Sequence, residues 1–411
     1  MTVQPRTRAQ ELDAADPLAP MRDLFALPEG VIYLDGNSLG ALPRAVAERT
    51  RAVVEEQWGE GLIRSWNTHD WIELPRRVGD RIAPLVGAPP GSVIVADSTS
   101  INLFKVLSIA VRLRPGRKVI LTEEGNFPTD IYIAGGLAEL LGNGVEVRAV
   151  PAMSLGQAVT EDVAVVLLTE VNYRTGYRHD MNLLTGIAHA AGALIVWDLA
   201  HSAGAVPVDL RGTDADFAVG CGYKFLNGGP GAPAFAFVAP RFHHGLRQPL
   251  SGWLGHEKPF AFDADYRAAP GIDALRVGSP PILSMSALDA ALDVFDGVDM
   301  AALKAKSDEL WDLFVSQVDA RARELAPITP SDPRLRGSQA SFRHPEAYAV
   351  MQALIARGVI GDFREPDILR FGLTPLYLRY IDVWKAAKVI GEVIEARAWD
   401  RPEFKQRAKV V

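Results

Sequence analysis

Lys224 stands at an unusual place in the sequence. It follows the apolar run DFAVGC (216–221) and precedes FLNGGPG (225–231), a stretch that is rich in glycine and turns tightly. Neither the apolar run before Lys224 nor the tight turn after it lets the amine reach water easily. Lys224 is therefore a candidate for Schiff-base formation with a carbonyl compound. The commoner interpretation of a single lysine is a solvated surface residue.

Asp198 ends a second apolar run, ALIVWD (193–198), and His201 follows three residues later. A carboxylate in that position is costly to bury unless it meets a cation. A turn-forming aspartate beside a hydrogen-bonded histidine is an equally good interpretation. A metal pair is conceivable, but with one His, one Asp and no HExxH-like pattern the sequence predicts no metal site.

Ser98, Thr99 and Ser100 lie where a third apolar run, SVIVAD (92–97), gives way to a helical pattern. The free N–H groups and the dipole of a helix N-terminus favour an anion, and hydroxyl groups add hydrogen-bond donors. Ordinary helix capping is the commoner use of these residue types.

The three features together indicate one cofactor. An amine for an aldehyde, an acid for a ring nitrogen and an anion site for a phosphate make up a site for pyridoxal 5'-phosphate. Asp198 would keep the ring nitrogen protonated, because an adjacent negative charge favours the charged form. Lys224 would form the Schiff base with the cofactor aldehyde.

The elements that must position these residues follow from the hydrophobic pattern. Between residues 92 and 240 short apolar runs alternate with helical patterns, which predicts a mostly parallel sheet with helices on both faces. Ligands of such sheets bind at the carboxyl ends of the strands, where the three features fall. Helices dominate the rest of the chain and predict a smaller α+β domain. We expect a large cofactor-binding domain over 65–278 and a small domain over 1–64 and 279–411.

Composition excludes several classes of protein. The 411 residues carry a net charge of −7 without a basic block, so nucleic acid is not an expected partner. The single cysteine, Cys221, rules out a disulfide within the chain and favours a reducing compartment. The polar N-terminus lacks the apolar core of a signal peptide, and no apolar run is long enough to span a membrane. A cytoplasmic enzyme is expected.

Motifs along nearly the whole chain resemble those of kynureninase, a fold-type I pyridoxal phosphate family, and are closest to its bacterial form. In chain order the motifs are YLDGNSLG (33–40), SWNTHDW (65–71), NFPTD (126–130), WDLAHSAGAVPVDL (197–210), GCGYKFLNGGPG (220–231), SGWLGHE (251–257) and RFGLTPLY (370–377). Single motifs such as D-x-A-H are shared across fold-type I enzymes, whereas the full set is specific.

The resemblance implies a fold and an activity. The fold is the α/β fold-type I transferase fold, a mostly parallel seven-stranded sheet with helices on both faces plus a smaller α+β C-terminal domain. The activity is hydrolysis of L-kynurenine to anthranilate and L-alanine in tryptophan catabolism, the kynurenine pathway, which also feeds NAD biosynthesis. A homodimer with the active site at the subunit interface is also implied.

The resemblance also assigns roles to residues. Lys224 matches the Schiff-base lysine, Asp198 the partner of the ring nitrogen, and Arg370 the arginine that grips the substrate α-carboxylate. Phe127 matches the residue stacked on the cofactor ring. Further cofactor contacts are matched by Asp130, Thr169 and His201 around the ring and by Thr99, Ser100, Tyr223, Trp253 and Ser279 at the phosphate. Ser279 occupies a position at which the residue type varies in the family.

Residue chemistry agrees with several of these roles. A planar guanidinium suits bidentate capture of a carboxylate, and Arg370 sits inside the alternating run ILRFGL (368–373) rather than in a surface pattern. Tyr223 adjoins Lys224 and can act as a catalytic acid or base. Trp66 matches a position that lines the pocket for the substrate ring, and an indole there favours L-kynurenine over 3-hydroxykynurenine.

Two other functions compete with this interpretation. A cysteine desulfurase-like lyase of the same fold usually stacks a histidine on the ring and carries a mobile cysteine, whereas here Phe127 takes the stacking position and Cys221 lies inside an apolar run. A non-catalytic protein that senses pyridoxal phosphate would have no need for Lys224, Tyr223 and Arg370 together.

Overall fold

The computed structural model describes residues 5–408, so the outer limits of the predicted small domain, residues 1 and 411, lie outside it. The strands are β1 (Ile32–Tyr33), β2 (Val93–Val95), β3 (Val119–Glu123), β4 (Glu146–Val150), β5 (Val163–Thr169), β6 (Leu194–Asp198), β7 (Phe217–Cys221), β8 (Ala234–Val238), β9 (Ala326–Pro327), β10 (Gln339–Arg343), β11 (Val359–Ile360), β12 (Asp362–Arg364) and β13 (Ile368–Gly372).

The helices flank these strands in sequence. They are α1 (Arg6–Ala15), α2 (Arg44–Ala52), α3 (Ser65–Thr68), α4 (Leu74–Ile82), α5 (Thr99–Arg112), α6 (Pro128–Leu141), α7 (Leu155–Ala158), α8 (Met181–Ala190), α9 (Ile282–Ala291), α10 (Met300–Arg321), α11 (Ala347–Ile355), α12 (Tyr380–Glu395) and α13 (Pro402–Lys405). A π-helical segment, Val53–Glu60, continues α2.

A seven-stranded sheet forms the centre of the large predicted domain, in the order β2-β8-β7-β6-β5-β3-β4. β8 runs antiparallel to both of its neighbours, and the other pairings are parallel. The predicted fold class, a mostly parallel sheet within an α/β architecture, is confirmed. β5, β6 and β7 lie side by side, so their carboxyl ends meet at one edge of the sheet.

Both faces of this sheet are buried, which is why its strands read as continuous apolar runs. Along β6, Ile195 and Trp197 belong to one core and Leu194 and Val196 to the other. Helices α5 and α6 pack on the second core, and α4, α8 and α9 pack on the first. The sheet is thereby held between two layers of helix.

A second sheet is antiparallel, in the order β12-β13-β10-β9, and the long helices α10 and α12 pack against each other beside it. β12 and β13 form a hairpin in which Asp362 lies opposite Arg370. β1, far away in the sequence, pairs with β11. This pairing supports placing the N-terminal segment in the small domain, and the limits at 65 and 278 stay a prediction. Within residues 5–408 no helix is long and apolar enough to cross a membrane.

Candidate active site

Lys224 lies three residues beyond the end of β7, partly exposed, and its side chain meets His201. The Lys224 Nζ is 2.9 Å from His201 Nε2. His201 is buried, and both burial and the charge of Lys224 hold the pKa of its imidazole well below the usual value. A neutral His201 whose Nε2 accepts a hydrogen bond from the Lys224 ammonium fits this geometry.

Asp198 and Thr169 end neighbouring strands and are partners in the sheet register. Asp198 is only 3% exposed, and its Oδ1 accepts a hydrogen bond from the Ala200 N–H at 2.8 Å. Burial raises the pKa of the Asp198 carboxyl, while the charge of Lys224 opposes this shift. A buried carboxylate with so little compensation is suited to receive a further cation, such as a protonated ring nitrogen.

Phe127 and Asp130 bring the start of α6 to the same place. Phe127 is the N-cap residue of α6, its ring is exposed, and the ring centroid lies 5.8 Å from Lys224 Nζ. An exposed aromatic face can receive a planar ring by stacking. Thr169 donates a side-chain hydrogen bond to Asn126, which directly precedes Phe127.

Two buried polar atoms around Lys224 have no hydrogen-bond partner in residues 5–408, Asp130 Oδ2 and His201 Nδ1. Burial and the neighbouring charge of Asp198 raise the pKa of the Asp130 carboxyl well above its usual value. Buried polar groups are normally satisfied, so these two indicate an absent polar ligand. The residues around Lys224 therefore fit a planar cofactor with polar substituents and a ring nitrogen.

The start of α5 is the place where the sequence predicts an anion site. Ser98 is the N-cap residue, and its Oγ accepts a long hydrogen bond, 3.4 Å, from the N–H of Ile101. Thr99 and Ser100 are the first two residues of the helix and are partly exposed, so their hydroxyl groups and the free N–H groups are accessible.

An ion pair between a buried lysine and a more exposed aspartate fixes the turn before this helix. Asp97 has a left-handed φ of 47° and pairs with Lys105, which is fully buried. Lys105 Nζ also donates to the Leu275 carbonyl at 2.8 Å, tying the turn to the loop that carries Ser279. Ser279 lines the same small cavity as Asp97, close to the start of α5.

Tyr223 lies beside Lys224 with its ring centroid 5.8 Å from the amine. Burial is the main cause that raises the pKa of its hydroxyl group, so Tyr223 stays protonated at neutral pH and is an acid rather than a base. Its carbonyl accepts a hydrogen bond from the Gly40 N–H at 2.8 Å. A Cβ on Gly40 would overlap the Lys224 carbonyl oxygen, so the close approach of this segment requires glycine.

Two predicted site residues, Trp66 and Trp253, pack against other aromatic rings. Trp253 packs edge-on against Phe260, at 5.6 Å between ring centroids. Trp66 packs edge-on against Trp71, at 5.8 Å. In the described part of the chain no hydrogen bond or ring contact joins Trp66 or Trp253 to Lys224.

Arg370 is buried on β13 and is anchored on three sides. It donates to Asp362, to the Ser38 Oγ at 2.8 Å and to the Tyr173 carbonyl at 2.6 Å. The Tyr173 ring packs edge-on against Phe127, at 5.1 Å between centroids. Arg370 is thus linked through one residue to the aromatic ring beneath Lys224.

Sequence reasoning did not identify three residues of this cluster, Ser38, Tyr173 and Asp362. A signal existed for Asp362, because opposite charges that face each other across a hairpin attract. Ser38 carried no comparable signal beyond its place in the motif YLDGNSLG (33–40). No group of His, Cys, Asp and Glu side chains that could hold a metal ion occurs in residues 5–408.

Known proteins share both the sequence and the architecture. Residues 303–390 match the model of the kynureninase C-terminal domain. The kynureninase of Pseudomonas fluorescens is 54% identical over 97% of this chain and 98% of its own length. That of Burkholderia pseudomallei (strain 1106a) is 55% identical over 98% and 99%.

The chain belongs to the kynureninase family. It is therefore an enzyme, a hydrolase that acts on a carbon–carbon bond. The solved cysteine desulfurase from Thermococcus onnurineus NA1 has a TM-score of 0.76 at 18% identity, over 96% of this chain and 99% of its own. At that identity the likeness shows the fold alone, the fold-type I architecture predicted above.

The competing desulfurase chemistry also lacks its nucleophile in this kynureninase-family chain. Cys221 is the single cysteine of the sequence and is buried at the end of β7, with its Sγ 3.7 Å from the Ala200 carbonyl oxygen. Burial raises the pKa of the Cys221 thiol, which disfavours the reactive thiolate.

Proposed function

We propose that this chain hydrolyses L-kynurenine to anthranilate and L-alanine in tryptophan catabolism, with pyridoxal 5'-phosphate held at Lys224. The observation that carries the proposal is the convergence on Lys224 Nζ of the Phe127 ring and His201, beside buried Asp198. Family membership supports the same reaction. When bound, the cofactor supplies an aldehyde for the substrate amine and an electron-withdrawing ring.

Lys224 is the residue that moves protons at the substrate α-carbon. His201, neutral and buried, accepts a hydrogen bond from the Lys224 ammonium and orients it. Asp198, buried at the end of β6, stabilises positive charge at a ring nitrogen. Tyr223, protonated at neutral pH, donates a proton near the reacting carbons once water has added to the aryl ketone.

The remaining contacts with the cofactor follow the arrangement of the strand ends. Phe127 would stack on the ring, and Asp130, Thr169 and His201 would hold its polar substituents. The phosphate would be held at the start of α5 by hydrogen-bond donors from Thr99, Ser100, Tyr223, Trp253 and Ser279. Support is strongest for Thr99 and Ser100, whose hydroxyl groups stand at a helix N-terminus.

Arg370 holds the α-carboxylate of the substrate, and Trp66 lines the pocket for the substrate's aromatic ring. A broad apolar indole suits an unsubstituted ring and crowds a hydroxyl group. The enzyme therefore prefers L-kynurenine over 3-hydroxykynurenine. Trp66 has an exposed flank near Trp71, which supports a role in contacting a ligand or a second chain.

The functional unit is a homodimer whose subunits share their active sites. Support comes from exposed apolar side chains close to Trp66 in the sequence, since Trp58, Leu62 and Ile63 are 54%, 57% and 77% exposed. Large apolar side chains exposed close together in the sequence are consistent with an interface between proteins. A second chain would cover it and would bring Trp66 towards a neighbouring Lys224.

Turnover tests the function directly. Purified protein is supplied with pyridoxal phosphate and L-kynurenine, and anthranilate is followed by its fluorescence while alanine is quantified. We expect the two products in equal amounts, and no sulfide from L-cysteine. Sulfide release without anthranilate would assign the chain to desulfurase chemistry, and binding of the cofactor without either product would make it a sensor.

A further inference from the structure

Arg370 has few hydrogen-bond donors left for a substrate. Its Nε and Nη2 both donate to the Asp362 carboxylate, Nη2 also donates to the Ser38 Oγ, and Nη1 donates to the Tyr173 carbonyl. A guanidinium has five N–H donors, so one N–H on Nη1 remains. Bidentate capture of a carboxylate needs two parallel donors, which Arg370 in this arrangement does not offer.

Arg364 lies on the other side of the same carboxylate. Its Nη2 is 2.7 Å from the Asp362 Oδ2 and 3.0 Å from the Ser38 Oγ, and its Nη1 donates to the Phe363 carbonyl at 2.9 Å. Within residues 5–408 no hydrogen bond uses its Nε. The Arg364 side chain is 30% exposed against 1% for Arg370, so Arg364 is the more accessible guanidinium of the two.

The charges of this cluster leave room for one anion. Two guanidinium groups face the carboxylate of Asp362, whose pKa lies below its usual value mainly because Arg370 pairs with it. The neighbouring Asp35 is uncharged near neutral pH, since burial and the charge of Asp362 raise its pKa to about 8. One positive charge is therefore uncompensated within the cluster.

Both arginines lie within electrostatic reach of the residue that contacts Lys224. Their positive charges contribute to the lowered pKa of His201, which is 2.9 Å from Lys224 Nζ. Contacts link the two places as well, because Arg370 donates to the Tyr173 carbonyl and the Tyr173 ring packs on Phe127, whose ring centroid is 5.8 Å from Lys224 Nζ. An α-amino acid carries its amine and its carboxylate on one carbon, so the carboxylate of a substrate attached at Lys224 stays close to the point of attachment.

We propose that Arg364 is a direct ligand of the substrate α-carboxylate and sets the preference for α-amino acids over amines. Arg370 supplies the remaining Nη1 donor and is held in place by Asp362, Ser38 and Tyr173. This inference rests on the proposed function, because it concerns the carboxylate of the same substrate.

The experiment compares Arg364→Gln with the wild type and with Arg343→Gln, which removes an exposed charge on the same antiparallel sheet. L-Alanine, the expected product, is titrated into the cofactor-loaded protein, and the absorbance change gives its Kd. For L-kynurenine, KM and kcat are measured separately. Binding of kynuramine, the analogue without the α-carboxylate, is measured in parallel.

Loss of a charge-assisted hydrogen bond should weaken alanine binding by about 10- to 100-fold in Arg364→Gln, with a matching rise in KM. Kynuramine binding and the Arg343→Gln variant should resemble the wild type. Arg364→Lys keeps the charge and should recover part of the affinity for alanine. This variant also keeps the inference testable if Arg364→Gln does not fold.

Alanine binding that is unchanged in Arg364→Gln, or a loss that is equal for alanine and kynuramine, would overturn the inference. The titration does not depend on turnover. A wild type that binds alanine through Arg364 but forms no anthranilate would instead overturn the proposed function alone.

Discussion

Lys224 Nζ and His201 Nε2 lie 2.9 Å apart, although the two residues follow different strands. β6 and β7 are parallel neighbours, so the loops after their carboxyl ends meet above the same edge of the sheet. The contact gives the amine a neutral hydrogen-bond acceptor at the place where the exposed Phe127 ring also lies. This arrangement is the basis for placing the cofactor at Lys224.

Asp198→Asn should inactivate the enzyme without unfolding it. An amide cannot stabilise a protonated ring nitrogen, so kcat should fall by about 10³- to 10⁴-fold, the scale of losing a catalytic electrostatic partner. The assay is anthranilate formation by protein whose cofactor content is verified by absorbance. Glu161→Gln, an exposed change before β5, serves as the control. Near-normal turnover by fully loaded Asp198→Asn would contradict the assigned role.

Arg370→Ala should weaken substrate binding much more than cofactor binding. Removal of one partner of a buried charge pair costs about 2–5 kcal/mol in binding. It also leaves Asp362 with Arg364 as its remaining cationic partner beside the Ser38 hydroxyl, so Tm should fall. KM for L-kynurenine and Kd for pyridoxal phosphate are compared in the same preparation. An equal loss for both ligands would make Arg370 a structural residue only.

The strand ends around Lys224 could be predicted from the sequence, because buried parallel strands read as apolar runs and polar residues after them stand out. The apolar runs predict that Asp198 and Lys224 follow the ends of strands. Thr169 is predicted through the family motifs alone. The contacts of Arg370 were not predicted, since Ser38 and Tyr173 come from remote segments that only the tertiary packing brings together. Nor does the sequence reveal that Asp362, Ser38 and Tyr173 together occupy all but one of the N–H donors of Arg370.

Trp66→His should shift the choice of substrate. A histidine can hydrogen-bond the ring hydroxyl of 3-hydroxykynurenine, whereas the indole of Trp66 crowds it. The measurement is kcat/KM for both substrates in wild type and variant. We expect the wild type to favour L-kynurenine and the variant to lose part of that preference. If the ratio is untouched, Trp66 only packs against Trp71.

Asp35 should make stability depend on pH. Burial and the charge of Asp362 raise its pKa to about 8 in the folded protein, while Arg370 opposes the shift, and the usual value is 3.8. A raised pKa means that the folded state holds a proton that the unfolded state has lost. The contribution of protonated Asp35 to the free energy of unfolding is therefore complete below about pH 4 and is lost as the pH rises to about 8.

Asp35→Asn, a neutral mimic of the protonated acid, should remove this component, so its Tm relative to wild type should rise between pH 5 and pH 8. Differential scanning fluorimetry over that range measures the effect, and exposed Asp23→Asn is the control. A Tm difference that does not vary with pH would show that Asp35 is ionised throughout.

The most direct test of the central claim is the site of cofactor attachment. The purified protein is loaded with pyridoxal phosphate, treated with borohydride and digested, and the peptide that carries the cofactor is identified by mass spectrometry. We predict a single labelled residue, Lys224, and no labelling in Lys224→Ala, with Lys258→Ala, an exposed lysine change, labelled as in the wild type. A cofactor fixed to any other lysine, or labelling that persists in Lys224→Ala, would contradict the account.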